Sequence, residues 1–483
     1  MRRAPLILAI AASLLPLWAF PHLPTQDGAS HVLNARVFRE CVREDSRDHE
    51  FYARRWNPVP NWTAQVVLLG LTAVAAPDTS EKILASLYVI ALPLALLCFL
   101  RSLGLGGEAA LFGLLLVFNR CFFLGFSNYL LSLVLYFVVL GAFLRRSEGP
   151  GPRDVVRLAS LLLLTWFTHL FGYLLAAASL LWLAATGPRE KWLQVRAVVL
   201  ALVPSMFLTV TYLATSGFFD PSLARRAARG LAGAVASVPA LLHRDLFAIH
   251  TLGWPIGLLG LAVAALWFGL SRSEGSWSWP DVRGWRRSLA GLTALLLVAF
   301  ALVPDHLGAQ GGFLKARLAA VPFLIGLSLL PEAPRGLARS LGLLAVLLLL
   351  AVNLYLVSSH FAGANRDLEE FTAATSLVRP GETLFALKPR PEESLLVDVR
   401  AAEYYCLAAR AVCLGNYEAA TRHFPVRLRP GVKERLKENR PGRFWADVLL
   451  AWDAAEDQLP RPAEPYHEVY RRGALRLYRR AAP

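Results

Sequence analysis

Apolar residues along this chain come in long blocks that carry almost no charge, and short basic segments separate the blocks. The blocks are residues 4–20, 63–76, 82–100, 108–118, 128–144, 157–168, 170–186, 197–214, 251–270, 288–304, 316–330 and 341–358. Hydrophobic residues make up 55% of the chain, above the roughly 45–50% that is usual for soluble domains. Because the excess is concentrated in blocks, the pattern predicts a bundle of membrane-spanning helices.

The basic residues indicate which blocks cross the membrane. Block 63–76 has 14 residues, fewer than the roughly 20 that a spanning helix needs. If this block does not span and the N-terminus is inside, the basic loops at 145–157, 187–196, 271–287 and 331–340 all lie in the cytoplasm, as the positive-inside rule requires. If the block did span, those loops would lie outside. We therefore predict about eleven spans in the cytoplasmic (inner) membrane, with the N-terminus inside.

The composition changes near the C-terminus. Charged residues become frequent in residues 359–483, and Pro-Gly pairs mark turns. Strand-like segments at 383–387, 394–397, 447–452, 468–470 and 474–478 alternate with helical ones at 400–410 and 432–438. We predict a mainly α-helical membrane domain at 1–358, followed by a small α/β domain on the extracytoplasmic side. Outer loops at 21–62 and 215–250 belong to the membrane domain. Within the first of them, residues 28–44 have the amphipathic spacing of a helix that lies at the membrane interface.

Charge and cysteine content narrow the function classes. The net charge is +15, with 50 Lys and Arg against 35 Asp and Glu, yet the basic residues lie in loops between apolar blocks instead of one patch. This distribution indicates that the basic residues set the membrane topology and contact lipid headgroups, and it argues against a nucleic-acid partner. No spacing resembles a zinc site, and no carboxylate cluster that would hold a divalent metal is visible, although the sequence leaves a divalent metal open. Cys406 and Cys413 lie close together in the tail, where a disulfide could form if the tail is outside.

The sharpest group of polar residues follows the first apolar block. Asp27 and His31 are four residues apart, so they share one face if the segment is helical. A carboxylate at the membrane interface could remove a proton from an acceptor hydroxyl, with His31 orienting that carboxylate or contacting a phosphate. An Asp at a helix start is also a common N-cap, which offers a purely structural explanation of Asp27.

Further polar residues in predicted outer loops and at outer helix ends could complete such a site. They are Arg54, Arg55, Asn128, His169, His306, Lys315 and Arg317. Arg and Lys at the rim of a cavity suit a phosphate or pyrophosphate leaving group, although a cation where a helix enters the bilayer often only snorkels to the headgroups. His169 lies between two short helices and fits a ligand contact or a buried, internally bonded histidine equally well.

The layout of these residues resembles the GT-C superfamily of membrane glycosyltransferases. The resemblance depends on an acidic residue with a nearby His in a long first outer loop, a basic residue before a late span, and an outer α/β domain. Three segments are similar to bacterial members of that superfamily: Asp27-Gly28-Ala29-Ser30-His31, Gly125-Phe126-Ser127-Asn128-Tyr129 and Asn416-Tyr417-Glu418-Ala419. The chain departs from the usual pattern in two places. Gly28 stands where many members have a second acidic residue, and Asn119 and Arg120 follow the third span where another acidic residue is often found.

The resemblance implies a polyprenyl-phosphate-sugar donor and an inverting transfer of the sugar to a lipid or glycan acceptor at the outer membrane surface. By this analogy Asp27 is the catalytic base, and Arg317, together with Lys315, binds the lipid phosphate. Two other classes remain open. A transporter or flippase of lipid-linked glycans is one, although such proteins usually show internal repeats and this chain shows none. A non-catalytic membrane scaffold with a partner-binding outer domain is the other.

Overall fold

The computed structural model describes residues 4–145, 149–216, 253–273, 284–305, 312–331, 334–387, 401–441, 443–461 and 464–481, with isolated residues between 236 and 246. The helices are α1 (Ala4–Trp18), α2 (Gly28–Glu40), α3 (Asp48–Phe51), α4 (Thr63–Leu71), α5 (Pro77–Ser102), α6 (Ala109–Leu114), α7 (Arg120–Phe123), α8 (Ser127–Leu144), α9 (Pro152–Thr168), α10 (Leu170–Thr186), α11 (Lys191–Ser216), α12 (Gly253–Ser273), α13 (Trp285–Leu302), α14 (Leu314–Gly326), α15 (Gly336–Phe371), α16 (Ala402–Ala409), α17 (Tyr417–Ala420) and α18 (Val432–Lys437). The strands are β1 (Tyr52–Arg54), β2 (Thr383–Ala386), β3 (Val412–Cys413), β4 (Val426–Leu428), β5 (Val448–Trp452), β6 (Tyr466–Arg472) and β7 (Leu475–Arg480).

Several of these helices are able to cross a membrane by length and composition. Within the described residues five of them qualify: Pro77–Ser102, Ser127–Leu144, Lys191–Ser216, Trp285–Leu302 and Gly336–Leu377. Shorter apolar helices cover Ala4–Trp18, Leu170–Thr186 and Ile256–Ser271. The chain is therefore a mainly helical membrane protein with a small sheet region at its C-terminus, whereas the predicted count of eleven spans is not confirmed.

Two apolar blocks form helices that are too short to cross a bilayer. Block 63–76 contains α4, which has 9 residues and is therefore about 14 Å long, roughly half the thickness of the hydrocarbon core. Block 108–118 contains α6, which has 6 residues. Since the prediction of eleven spans counts block 108–118, this short helix is one reason why that count is not confirmed.

The chain divides into two compact units. The first comprises Met1–Pro16, Ser86–Phe122 and Asn128–Ser358, and the second comprises Leu17–Ala85, Phe123–Ser127 and Ser359–Pro483. The predicted domain boundary after residue 358 coincides with one limit of the second unit. That unit also takes in Leu17–Ala85, which include the loop after α1 and come far earlier in the chain than the tail.

The second unit contains two sheets, and the smaller one joins the loop after α1 to the tail. The larger sheet has the order β3-β2-β5-β7-β6, in which β2 is parallel to β3 and β5 while β7 is antiparallel to β5 and β6. The smaller sheet pairs β1 with β4 in antiparallel register, with Tyr52 opposite Leu428 and Arg54 opposite Val426. The small α/β region predicted for the tail is therefore present, and it includes a strand from the loop after α1. A further strand predicted at 394–397 lies outside the described residues.

Helix α2 is part of the core of the second unit. Its residues 28–38 are all buried, and Leu33 and Val37 pack in one hydrophobic cluster with residues of the tail such as Leu449 and Leu477. The amphipathic spacing of this segment correctly predicted a helix, but the structure differs from the expected placement at the membrane interface. The buried polar side chains His31, Asn34 and Arg36 of α2 have partners inside the unit instead of facing water or headgroups.

Candidate functional site

The start of α2 holds the Asp27 carboxylate in a buried position. Asp27 occupies the N-cap position, but its side chain makes no capping hydrogen bond to the helix. Its Oδ2 atom instead accepts a hydrogen bond from the Tyr417 hydroxyl over 2.8 Å, and the residue is only 4% exposed. The helix-cap explanation therefore accounts for the position of Asp27 in the chain but not for the direction of its side chain.

His31 lies one turn further along α2 and is held at both ring nitrogens. Nδ1 lies 2.7 Å from Oε1 of Glu418, and Nε2 lies 3.0 Å from the carbonyl oxygen of Gly125. Burial lowers the pKa of His31, but the negative charge of Glu418, its hydrogen bond and the nearby Asp27 outweigh burial and raise the pKa to about 9. At neutral pH the ring is therefore an imidazolium that donates from both nitrogens.

Two glycines let other groups approach the start of α2. A Cβ atom on Gly28 would lie 1.7 Å from Oε1 of Glu81 and 2.3 Å from Oγ1 of Thr25. Gly125 has a φ angle of +70°, and a Cβ atom there would lie 2.8 Å from the amide nitrogens of Asp27 and Gly28. Because glycine adopts this φ angle without steric cost and has no side chain, the loop at Gly125 and the Glu81 carboxylate can both pack against the helix start.

Glu81 is a second carboxylate at this place. It is 5% exposed, and its Oε1 atom accepts a hydrogen bond from the Thr25 hydroxyl over 2.9 Å. Glu81 and His31 are close enough to interact electrostatically. The side chains of Asp27, Glu81 and Glu418 thus bring three buried carboxyl groups around one imidazolium. Such an arrangement is suited to proton transfer or to binding a hydroxyl, and less suited to binding a phosphate directly.

The tail segment that supplies Tyr417 and Glu418 is fixed by an amide pair. Asn416 caps the short helix α17, where its Oδ1 atom accepts from the amide of Ala419 over 3.2 Å. The same side chain donates to Oδ1 of Asn34 on α2 over 3.0 Å. Phe424 packs against the rings of His31 and Tyr417, with centroids 6.0 Å and 6.2 Å apart. The tail therefore positions both side chains relative to α2.

Arg54 and Arg55, the two predicted site residues in the loop after α1, have different surroundings in the second unit. The Arg54 guanidinium donates to the carbonyl of Phe38 over 2.6 Å, at the C-terminal end of α2, so Arg54 and Asp27 lie at opposite ends of that helix. The Arg55 guanidinium donates to the carbonyls of Thr421 and Phe424 over 3.2 Å each. Arg55 therefore supports the segment that packs against His31, and the structure does not bring Arg54 next to Asp27.

The remaining predicted residues that the structure describes lie in the first unit. The Lys315 ammonium donates to the carbonyls of Phe300 and Ala301 over 3.0 and 3.2 Å, and the Arg317 guanidinium donates to the carbonyl of Gly312 over 2.6 Å. Tyr129 links this group to His169, since its hydroxyl donates to the Arg317 carbonyl and its ring lies 5.5 Å from the imidazole.

His169 and Asn128 also lie in the first unit. His169 is the N-cap of α10, and its Nδ1 atom accepts from the amide of Phe171 over 3.2 Å. This bond supports the internally bonded explanation of that histidine. Asn128 is buried beside Tyr129 on α8. His306 lies outside the described residues.

Sequence reasoning missed Glu81 and did not assign a role to Tyr417 and Glu418. A signal existed for both. An acidic residue within the first turns of an apolar helix is unusual and is often functional, which applies to Glu81 on α5. Tyr417 and Glu418 belong to one of the three segments on which the resemblance to membrane glycosyltransferases depends. In the structure residues from all three segments, including Asp27, Gly125 and Glu418, meet in the second unit.

No protein-family model matches the chain, and no curated protein matches it. Within the described residues no group of three or more His, Cys, Asp and Glu side chains could hold a metal ion.

Cys406 and Cys413 are buried as free thiols, and the hydrogen bond from the Cys406 side chain, with burial, raises the pKa of Cys413.

Proposed function

We propose that this protein is a membrane glycosyltransferase that moves a sugar from a polyprenyl-phosphate donor to an acceptor hydroxyl. The proposal includes about eleven spans in the cytoplasmic membrane, with the N-terminus inside and the C-terminal domain outside. The observation that carries it is the buried Asp27 carboxylate, which Tyr417 holds at 2.8 Å beside the His31–Glu418 ion pair. This group follows directly after the first apolar helix, where a lipid-linked donor would present its sugar.

In the proposed reaction Asp27 acts as general base. A carboxylate has about four lone-pair sites, so it can accept from Tyr417 and from a substrate hydroxyl at the same time. As the acceptor oxygen attacks the anomeric carbon, its proton passes to Asp27, and the bond between the anomeric carbon and the phosphate oxygen breaks. The electron pair of that bond leaves with the polyprenyl phosphate, and the configuration inverts. No redox cofactor is required for these steps.

The other groups of the site orient this base. His31 donates to Glu418 and Gly125, so its role is to hold α2, the loop at Gly125 and the tail together instead of contacting phosphate. Glu81 reaches the place beside Asp27 that a side chain at position 28 would fill. We infer that Glu81 supplies the second carboxylate that membrane glycosyltransferases often have next to the base. We also propose that Arg317 and Lys315, in the first unit, bind the lipid phosphate. Only the resemblance supports this role.

Donor turnover tests the proposal. The full chain would be reconstituted in liposomes that contain a panel of polyprenyl-phosphate sugars, and release of polyprenyl phosphate would be followed by mass spectrometry. We expect release for one donor of the panel, accelerated by a crude glycan or lipid acceptor fraction. Movement of an intact donor across the bilayer without release would instead support the flippase alternative. Binding of glycan to the tail without release or movement would support the scaffold alternative.

A further inference from the structure

Helix α4 has an exposed face that is apolar. Ala64 and Leu68 on one side are buried, at 1% exposure each, whereas Val66 on the other side is 56% exposed. The turn that follows continues this face, because Val74 is 85% exposed. No charged residue occurs from Thr63 to Ala76. A helix of a soluble domain would place polar residues on such a face, so this surface is built to contact something apolar.

Aromatic and basic side chains lie at the two ends of α4. Trp56 is 68% exposed and stacks on Trp62 with 6.2 Å between ring centroids. The Arg54 guanidinium lies 5.8 Å from the Trp56 ring, and the Arg39 guanidinium donates to the carbonyl of Thr72 over 3.4 Å. Exposed Trp and Arg next to an apolar surface are typical of the zone where lipid headgroups meet acyl chains.

We propose that the face formed by Val66, Val74 and Trp56 inserts into the headgroup zone of the lipid bilayer. The chain connection favours lipid over a protein partner, because α4 ends at Leu71 and the candidate span α5 begins at Pro77. The connection is the five residues 72–76, and an extended chain of this length reaches at most about 20 Å from Leu71 to Pro77, so α4 stays near the point where α5 enters the membrane. With 9 residues it cannot cross the bilayer, and it lies along the interface. This inference requires the membrane assignment but not the glycosyltransferase activity.

Spin labels on the full chain in liposomes test this placement. Cys98 is the exposed cysteine and the other four are buried, so a Cys98→Ser background would carry single labels at Val74→Cys or Val66→Cys. Power saturation by oxygen and by a water-soluble nickel chelate reports the depth of each label. Leu348→Cys on the candidate span around α15, where Leu348 is 58% exposed, provides the lipid reference. Arg471→Cys on the exposed side of β6 provides the water reference.

We expect labels at 74 and 66 to collide with oxygen several-fold more than the label at 471, and with the nickel chelate several-fold less. Collision values at 74 and 66 that match those at 471 would overturn the proposal, because the face would then be in water. Protection of both labels from both reagents would also overturn it, since a second copy or a protein partner would then cover the face. Because both valines are exposed, their replacement should leave the thermal unfolding temperature unchanged, and each variant is checked for this.

Discussion

The ion pair between His31 and Glu418 is the most sensitive contact of the site. Glu418 is fully buried at 0% exposure and His31 is 6% exposed, so neither charge can turn to water when its partner is removed. A lone buried charge costs far more than the pair contributes to net stability. The pair therefore matters mainly because it fixes the tail against α2.

Replacement of Glu418 by Gln should lower the free energy of unfolding by about 3–5 kcal/mol, because the His31 imidazolium loses its counter-charge. Thermal or chemical unfolding in detergent measures the effect. Glu456→Gln is the matched control, since Glu456 pairs with Arg476 at 3.0 Å but its side chain is 73% exposed. We expect less than about 1 kcal/mol for that surface pair. Equal losses in the two variants would contradict the buried ion pair.

The same pair should make stability depend on pH. The pKa of His31 is raised from 6.5 to about 9, so the folded protein binds the proton more tightly than the unfolded chain. The resulting stabilisation is fully present below pH 6.5 and is lost as the pH rises through about 9. The difference between the two pKa values corresponds to about 3 kcal/mol.

Unfolding free energies of the wild-type chain and of His31→Gln, measured between pH 6 and about pH 10, check this dependence. The wild-type chain should lose stability relative to the variant across that range. Parallel curves would mean that folding leaves the pKa of His31 unchanged, and they would contradict the raised pKa.

Tyr417→Phe removes one hydrogen bond to the Asp27 carboxylate and leaves the ring in place. A hydrogen bond to a charged group contributes about 1.5–3 kcal/mol, and part of that should appear as a rate loss of about tenfold or more if the bond orients the base. The turnover number for polyprenyl phosphate release, compared with the unfolding temperature, measures this. An unchanged turnover number would leave Tyr417 with a structural role only.

At the scale of elements, the helix start around Gly28 depends on close packing. The Glu81 carboxylate occupies the space where a side chain at position 28 would lie, so Gly28→Ala must displace Glu81 or the helix. We expect a loss of stability of about 1–3 kcal/mol, as for overpacked cores. Gly70→Ala on α4 is the control, because no atom lies within 4 Å of its Cβ position. That variant should be neutral or stabilised by up to about 1 kcal/mol. Equal effects of the two changes would show that Gly28 is not packed as described.

The sequence predicted the elements of this region better than their surroundings. The 3.6-residue spacing of apolar positions correctly predicted that α2 is a helix. The strand-like segments of the tail correctly predicted β2, β5, β6 and β7. The placement of α2 could not be predicted, because its polar residues are satisfied by distant groups. Asn34 bonds with Asn416, which lies 382 positions away, and Arg36 donates to the carbonyl of Ala411 over 2.8 Å. Without those partners, the polar stripe indicated a surface helix.

The site itself was predictable only in part, for the same reason. Asp27 and His31 share a helix turn, so their spacing indicated that they act together. Glu81 and Glu418 come from other elements, and no local periodicity connects them with Asp27. Gly28 was a signal that the sequence analysis did not use, since a residue without a side chain at that place leaves room for a group from elsewhere in the chain.

At the scale of the whole molecule, the loop after α1 and the C-terminal tail form one folding unit. Their residues share a hydrophobic core that includes Val37, Tyr52, Phe371 and Leu450, and β1 pairs with β4. The tail alone would expose the apolar surface that this loop covers. We therefore expect residues 359–483, expressed alone, to lack cooperative unfolding by near-ultraviolet circular dichroism, whereas the full chain shows it. A folded isolated tail would contradict the shared core.

The central claim is that Asp27 removes the proton of the acceptor hydroxyl, and Asp27→Asn tests it most directly. The amide keeps the size of the side chain and can still accept from Tyr417, so the fold should persist. Asp45→Asn is the matched control in the same loop, since Asp45 pairs with Arg43 on the surface and its side chain is 70% exposed. With the donor that the wild-type chain uses, we predict that Asp27→Asn lowers the turnover number by about 10²–10⁴-fold while Asp45→Asn keeps full activity. Wild-type turnover in Asp27→Asn would contradict the account.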